Sequence, residues 1–177
     1  ARHGAWDVVI HCAGATKCRR KADFDRINYE ATRLLADMLM HLDMVPRLFI
    51  FISTLGIYGP LHEEEPGQAF VETDTPRPNT LYGMSKYKAE EYLKGVESLP
   101  YVIFKPTGVY GPRDKDYQIL VDSIRAHIDL SLGIRPQQIT FVYVADLVQA
   151  VFLAIEKQVV CRSYLITDGN TYSSRDF

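Results

Sequence analysis

Along the chain, short unbroken apolar runs alternate with longer stretches in which apolar residues return every third or fourth position. Runs of the first kind suit strands buried on both faces of a parallel sheet, and stretches of the second kind suit amphipathic helices. Asp7 to Gly14, Leu48 to Thr54, Tyr101 to Lys105 and Ser163 to Thr167 read as strands, with a shorter one over Ile139 to Val142. Helices are predicted from Ala22 to Leu42, Thr80 to Lys94, Tyr117 to Ile128 and Ala145 to Glu156. In the first helix Phe24, Ile27, Ala31, Leu34, Leu35, Met38 and Leu42 form the apolar stripe, and Pro46 closes it off. Gly95 caps the second helix, and Pro106 ends the third strand.

Strands alternating with helices imply right-handed crossovers, so the expected fold class is α/β, a doubly wound parallel sheet with helices on both faces. In such sheets ligands sit beyond the carboxyl ends of the strands. His11 to Gly14, Ser53 and Thr54, and Pro106 to Gly108 lie at those ends and converge on one crevice with the helix that starts at Thr80. Residues 60–80 break the rhythm with Pro60, Pro66, Gly67, Pro76 and Pro78, which predicts an irregular excursion on the substrate side. Its Glu63-Glu64-Glu65 run reads as a solvated face.

Composition narrows the partners more than the fold. The 177 residues are 47% apolar, which suits a single domain over 1–177. Twenty-two acidic against 20 basic side chains leave a net charge of −2, with no broad positive field for nucleic acid or an anionic membrane surface. No apolar run approaches the roughly 20 residues that span a bilayer. Cys12, Cys18 and Cys161 form no CxxC pair and no zinc spacing, so reduced thiols in a cytoplasmic setting and no metal are expected. At the ends, the first strand begins almost at once and Ser173-Ser174-Arg175-Asp176 looks like a helix N-cap just before Phe177. Both features suggest the middle of a longer protein.

Tyr82 and Lys86 lie four apart at the head of a helix, so the phenol and the ammonium share one face. A free phenol has a pKa of about 10, and lowering it by about 3 units costs about 4 kcal/mol. One cation at about 4 Å, with an effective dielectric near 20, supplies about that much. Taken alone the pair is weak, because a half-buried tyrosine beside a snorkelling lysine is common on helices.

The setting of the pair changes its weight. Asp7-Val-Val-Ile-His-Cys-Ala-Gly14, Ile27-Asn-Tyr-Glu-Ala-Thr32, Ser53-Thr-Leu-Gly-Ile-Tyr-Gly59, Tyr82-Gly-Met-Ser-Lys86, Lys105-Pro-Thr-Gly-Val-Tyr-Gly-Pro-Arg113 and Phe141-Val-Tyr-Val-Ala-Asp146 follow one another in order. That succession resembles the extended short-chain dehydrogenases, which include NAD-dependent sugar epimerases and dehydratases, 3β-hydroxysteroid dehydrogenases and dihydroflavonol reductases. The resemblance implies a Rossmann-like fold and an NAD(P)-dependent oxidoreductase or epimerase/dehydratase. Its substrate would be a small molecule with a hydroxyl or keto carbon, either a sugar nucleotide or a hydrophobic alcohol or ketone. By the same resemblance Tyr82 is the acid or base, Lys86 its electrostatic partner and a ribose ligand, and Thr54 the contact to the substrate oxygen. Asn28 would steady a relay water. Ala13, Gly14, Ser53, Tyr82, Lys86, Pro106, Thr107, Gly108 and Val109 would line the NAD or NADP site.

Two departures qualify the resemblance. The family opens with a strand, a GxxGxxG turn and a helix whose N-terminus holds the cofactor pyrophosphate, and no such turn occurs in the 177 residues. A first βαβ unit of about 60 to 70 residues is therefore expected to be lacking, together with a C-terminal substrate region. Lys105 stands where the family usually has Arg. A rival reading follows: a non-catalytic module of the same fold that binds or senses the cofactor. Without a preceding unit, the strand at Asp7 to Gly14 would expose an apolar edge, and self-association into a homodimer follows as an expectation.

Overall fold

The computed structural model describes residues 6–60, 69–127 and 138–173. The Glu63 to Glu65 run, Pro66, Gly67, Ile128 and Ser174 to Asp176 lie outside them. In chain order the elements are β1 (Val8–His11), α1 (Lys21–Phe24), a π-helical turn (Asp25–Glu30), α2 (Ala31–His41), β2 (Leu48–Ile52), a 3-10 turn (Leu55–Ile57) and α3 (Leu81–Lys94). There follow β3 (Tyr101–Pro106), β4 (Gly108–Tyr110), α4 (Lys115–Arg125), β5 (Gln138–Ile139), β6 (Phe141–Tyr143), α5 (Val144–Glu156), β7 (Arg162–Ile166) and β8 (Tyr172–Ser173).

Four strands pair in the order β1-β2-β3-β7, every pair parallel. The period of two along each strand sorts the apolar residues onto two faces. Phe49, Phe51 and Ile103 pack with Ala36 and Leu39 of α2 and Ala89 and Leu93 of α3. Leu48, Ile50, Val102 and Phe104 pack on the other side with Leu147, Val151 and Ala154 of α5. This is the doubly wound α/β arrangement the sequence predicts. Burying each of the larger side chains stabilises the fold by about 1.5–3 kcal/mol.

Three expectations need correction. The first strand is not buried on both faces: Ile10 is 48% exposed. Among the described residues β1 is an edge strand, and the apolar face of α5 meets β2 and β3 rather than Ile10. The first helix is not regular either. A π-helical turn interrupts it, and beyond that turn Thr32, Ala36 and Leu39 face the core while Leu34, Met38 and Leu42 are exposed. The apolar stripe read from sequence assumed an unbroken period of 3.6, which the wider turn shifts. Finally, β3 ends at Pro106 as expected, but the chain just beyond it is not a loop: residues 108–110 form β4, parallel to β6. Ser173 lies in β8, antiparallel to β5, and the rest of the expected N-cap run lies outside the described residues.

Among the described residues no helix is long and apolar enough to cross a membrane, and no group of three His, Cys, Asp or Glu could hold a metal. The open β1 edge generates a measurable expectation. Ile10→Lys should lower the apparent mass of the 177-residue chain in concentration-dependent light scattering. A wild-type chain that is already monomeric, or a variant as heavy as the wild type, would remove β1 as the adhesive edge.

Candidate active site

Thr80, in an extended conformation, caps α3, and its hydroxyl accepts a hydrogen bond from the Gly83 N–H at 3.0 Å. The cap fixes where the helix starts, so Tyr82 falls in its first turn and Lys86 one turn later. Gly83 sets how closely α3 approaches the turn after β2: a Cβ there would lie 2.6 Å from the Gly56 carbonyl oxygen. Through this approach Thr54, whose hydroxyl also accepts from the Gly56 N–H at 3.1 Å, comes near enough to the phenol of Tyr82 to act on its ionisation.

The electrostatics of the pair differ from the sequence argument. Burial pushes the Tyr82 phenol upward, and the Thr54 hydroxyl pulls it back. The ammonium of Lys86, 3% exposed, donates to the Ile52 carbonyl at 2.6 Å and lies 4.1 Å from the centroid of the Phe51 ring. Burial lowers Lys86 to about 8, with the Glu90 carboxylate opposing. Thus Thr54, rather than Lys86, eases ionisation of the phenol in this arrangement. The charge of Lys86 acts instead on the end of β1, where it disfavours protonation of His11 and favours the Cys12 thiolate.

Asn28, expected to hold a water, is a fully buried clamp on the π-helical turn. Its side-chain oxygen accepts from the Ala15 N–H at 2.7 Å, and its amide donates to the Ala15 carbonyl at 3.0 Å and the Ser85 hydroxyl at 2.9 Å. Ser85 in turn donates to the Tyr82 carbonyl at 2.8 Å. Ala13 and Gly14 are exposed just beyond β1, and a Cβ on Gly14 would come 3.0 Å from the Asn28 oxygen and 3.8 Å from the Lys86 nitrogen.

Ser53 faces away from this crevice, its hydroxyl donating to Glu90. Pro106 is the last residue of β3, Thr107 joins it to β4, and Gly108 and Val109 belong to β4, where a Cβ on Gly108 would run into the Tyr117 hydroxyl. The structure therefore gathers Tyr82, Thr54, Lys86, Asn28 and Gly14 around β1, β2 and α3. It places Pro106 one strand further along the sheet, in β3, and Gly108 and Val109 in the separate β4-β6 pair. A cavity of about 330 Å³ beside Tyr110, Asp114, Tyr117 and Tyr143 includes none of the first group. Sequence reasoning missed Ala15, Ser85 and Glu90. Ser85 stood unassigned inside the motif, and Glu90 follows Lys86 at the same spacing of four that singled out Tyr82 and Lys86.

A nicotinamide-ribose group fits the residues present. The Lys86 ammonium beside the side-chain-free Gly14 suits ribose hydroxyls, and the buried Thr107 hydroxyl has no hydrogen-bond partner in the structure. The pyrophosphate has no Gly-rich turn in this sequence to receive it.

His11 supplies a stability test. Its Nε2 lies 2.8 Å from the Thr32 hydroxyl, its ring stacks on Phe51, and burial lowers its pKa to about 4. The neutral ring's contribution is complete above pH 6.5. As pH falls from there toward 4, the unfolded chain takes a proton that the folded chain refuses, at a loss of up to about 3 kcal/mol. His11→Gln should flatten the fall of Tm between pH 6.5 and 4.5; equal slopes would contradict a neutral buried imidazole. Gly83→Ala should destabilise the fold by about 1–3 kcal/mol through overpacking, and so lower Tm at every pH, because its Cβ meets backbone.

Comparison with known proteins identifies the family and the fold. A profile of the NAD dependent epimerase/dehydratase family matches residues 1–166. UDP-glucose 4-epimerase of Vibrio cholerae is 28% identical over 181 aligned positions, covering 96% of this chain and 54% of that protein. UDP-glucuronic acid 4-epimerase of Bacillus cereus, solved in complex with NAD, superposes with a TM-score of 0.79 at 26% identity, over 96% of this chain and 56% of that one. A dTDP-glucose 4,6-dehydratase of Bacillus anthracis, at 20% identity and TM-score 0.80, over 96% of this chain and 54% of that one, shares the fold. The chain spans about half the length of the curated relatives it matches. Matched over nearly its whole length, it belongs to the NAD dependent epimerase/dehydratase family.

Proposed function

We propose that this chain carries the proton-transfer part of the active site of an NAD(P)-dependent epimerase or dehydratase that works at a hydroxyl or keto carbon of a sugar nucleotide. The observation that carries the reading is the burial of the Tyr82 phenol close enough to Thr54, just beyond β2, for that hydroxyl to favour its ionisation, with the buried Lys86 cation one helical turn along. The sugar-nucleotide class is supported by the Vibrio cholerae relative and by the Bacillus cereus neighbour, solved with UDP-glucuronic acid and NAD.

NAD(P), when bound, supplies the hydride acceptor at the reacting carbon. The chain supplies the proton chemistry at the oxygen. Burial keeps the phenol of Tyr82 protonated near neutral pH, so its resting form is the acid that can protonate a developing alkoxide. In the reverse direction Tyr82 must accept the hydroxyl proton, and the Thr54 hydroxyl stabilises the phenolate that does so. Lys86 is suited to hold the ribose hydroxyls beside Gly14 and to add positive charge on the same helix face. Asn28 and Ser85 hold the first turn of α3, so that the phenol and Thr54 stay in register.

Tyr82→Phe in the complete protein tests this reading. Turnover should fall by about 10²–10⁴-fold, as expected for loss of a general acid–base group, while NADH or NADPH titrates with nearly the wild-type affinity. Retained turnover would reject Tyr82. A wild-type protein that binds the nucleotide but turns over no sugar nucleotide, alcohol or ketone would instead favour a non-catalytic cofactor-sensing module.

A further inference from the structure

Behind the Tyr82–Thr54 contact lies a second ionisable cluster. Glu90, completely buried, sits four residues after Lys86 on the same face of α3. One carboxylate oxygen accepts from the Ser53 hydroxyl, and the other lies 3.6 Å from the ammonium groups of both Lys105 and Lys94. Lys105, 2% exposed, also donates to the Tyr58 hydroxyl at 2.8 Å.

We propose that Glu90 is a positioning residue that acts through Lys86 and Ser53: as a carboxylate it keeps the buried Lys86 protonated and pins the end of β2, and with it Thr54, against α3. The proposal deepens the acid–base reading of Tyr82, on which its functional meaning rests.

Three observations carry it. First, every group aimed at Glu90 is a donor: Ser53 has a hydroxyl proton to give, and Lys94 and Lys105 are ammonium groups. Such surroundings match an ionised carboxylate and leave a carboxylic acid proton without an acceptor. Second, the Lys86 ammonium contacts the Ile52 carbonyl and the Phe51 ring, both uncharged, and among the described residues it forms no ion pair with a carboxylate within 4 Å. Among the charges that act on Lys86, Glu90 is the strongest, and it opposes the burial that would discharge the ammonium. Third, Ser53 precedes Thr54 directly, so the hydrogen bond that Ser53 donates to Glu90 in the last turns of α3 fixes the residue beside the phenol. Burial pushes Glu90 upward, while Lys105, Ser53 and Lys94 pull it back. The wider field includes Glu72 and Asp74, which act on the Tyr58 and Lys105 side of the cluster.

The test reads the charge of Lys86 directly. In the complete protein with ¹³C-labelled lysine, the titration midpoint of Lys86 is followed by its Cε resonance, assigned by comparison with Lys86→Met. Glu90→Gln should lower that midpoint by about one pH unit, because an ammonium that loses a nearby anion gives up its proton at lower pH. Glu90→Asp, which keeps the charge, should hold the midpoint near the wild-type value. If Glu90→Gln does not melt cooperatively, the Glu90→Gln/Lys105→Met pair removes both buried charges and should show the same fall. An unchanged midpoint in a folded neutral variant, or an equal fall in Glu90→Asp, would overturn the proposal. The midpoint needs neither turnover nor nucleotide, so failure of the enzymatic reading in the Tyr82→Phe assay would leave this result separately decided.

Discussion

Asn28 has no exposed surface, and three parts of the site are fastened to its one amide. Its oxygen and nitrogen clasp both backbone groups of Ala15, and its second donor holds Ser85, which passes the constraint on to the backbone of Tyr82. A buried polar group that loses its partner costs about 1–3 kcal/mol, so this side chain can neither leave nor turn without cost. The backbone carbonyl of Asn28 also accepts from Thr32, whose hydroxyl meets His11 at the end of β1. Strand end, loop and helix start are thus set by one short relay of hydrogen bonds. The phenol and Lys86 inherit their positions from it.

The charges around the site act at very different strengths. Exposed pairs on the helices, such as Arg33 with Asp37 and Arg26 with Asp23, are screened by water and contribute about 0–1 kcal/mol each. Lys86, Glu90 and Lys105 are buried at 3% exposure or less, where an unmatched charge costs several kcal/mol. The surface pairs therefore decorate the helices, while the buried trio decides which protonation states the site can hold. Glycine plays the complementary part: Gly83 lets α3 come within backbone contact of the turn that carries Thr54.

What the sequence disclosed follows the range of the forces involved. Strands β2, β3 and β7 and helices α3 and α5 were legible because burial on a sheet face imposes a simple period over many residues. Tyr82, Lys86 and Thr54 were legible as a constellation because helical spacing and strand ends place them in one region. The side-chain directions within that region were not. Lys86 turns to Ile52 and Phe51, Ser53 turns to Glu90, and Asn28 closes on Ala15 and Ser85, each decided by a partner 13 to 57 residues away in sequence. Periodicity carries no record of such pairings. The exposed face of β1 was misread for a related reason, since a continuous apolar run says that a strand can be covered, not what lies over it.

The π-helical turn at Asp25–Glu30 works as a phase shifter. One residue on a regular helix is about 100° of rotation, so a wider turn lets the segments before and after it present faces that a single α-helix would hold out of step. Upstream, Phe24 is half-buried; downstream, Thr32, Ala36 and Leu39 are inward; within the turn Ile27 is half-buried and Asn28 reaches the centre of the site. Deleting one residue here would restore regular geometry and bring Leu34 and Met38 round toward the sheet, improving the helix by every local criterion. It would also rotate the clamp out of the crevice. A stretch that looks like an imperfect helix is thus the device by which the chain sets the angular position of its site independently of its core.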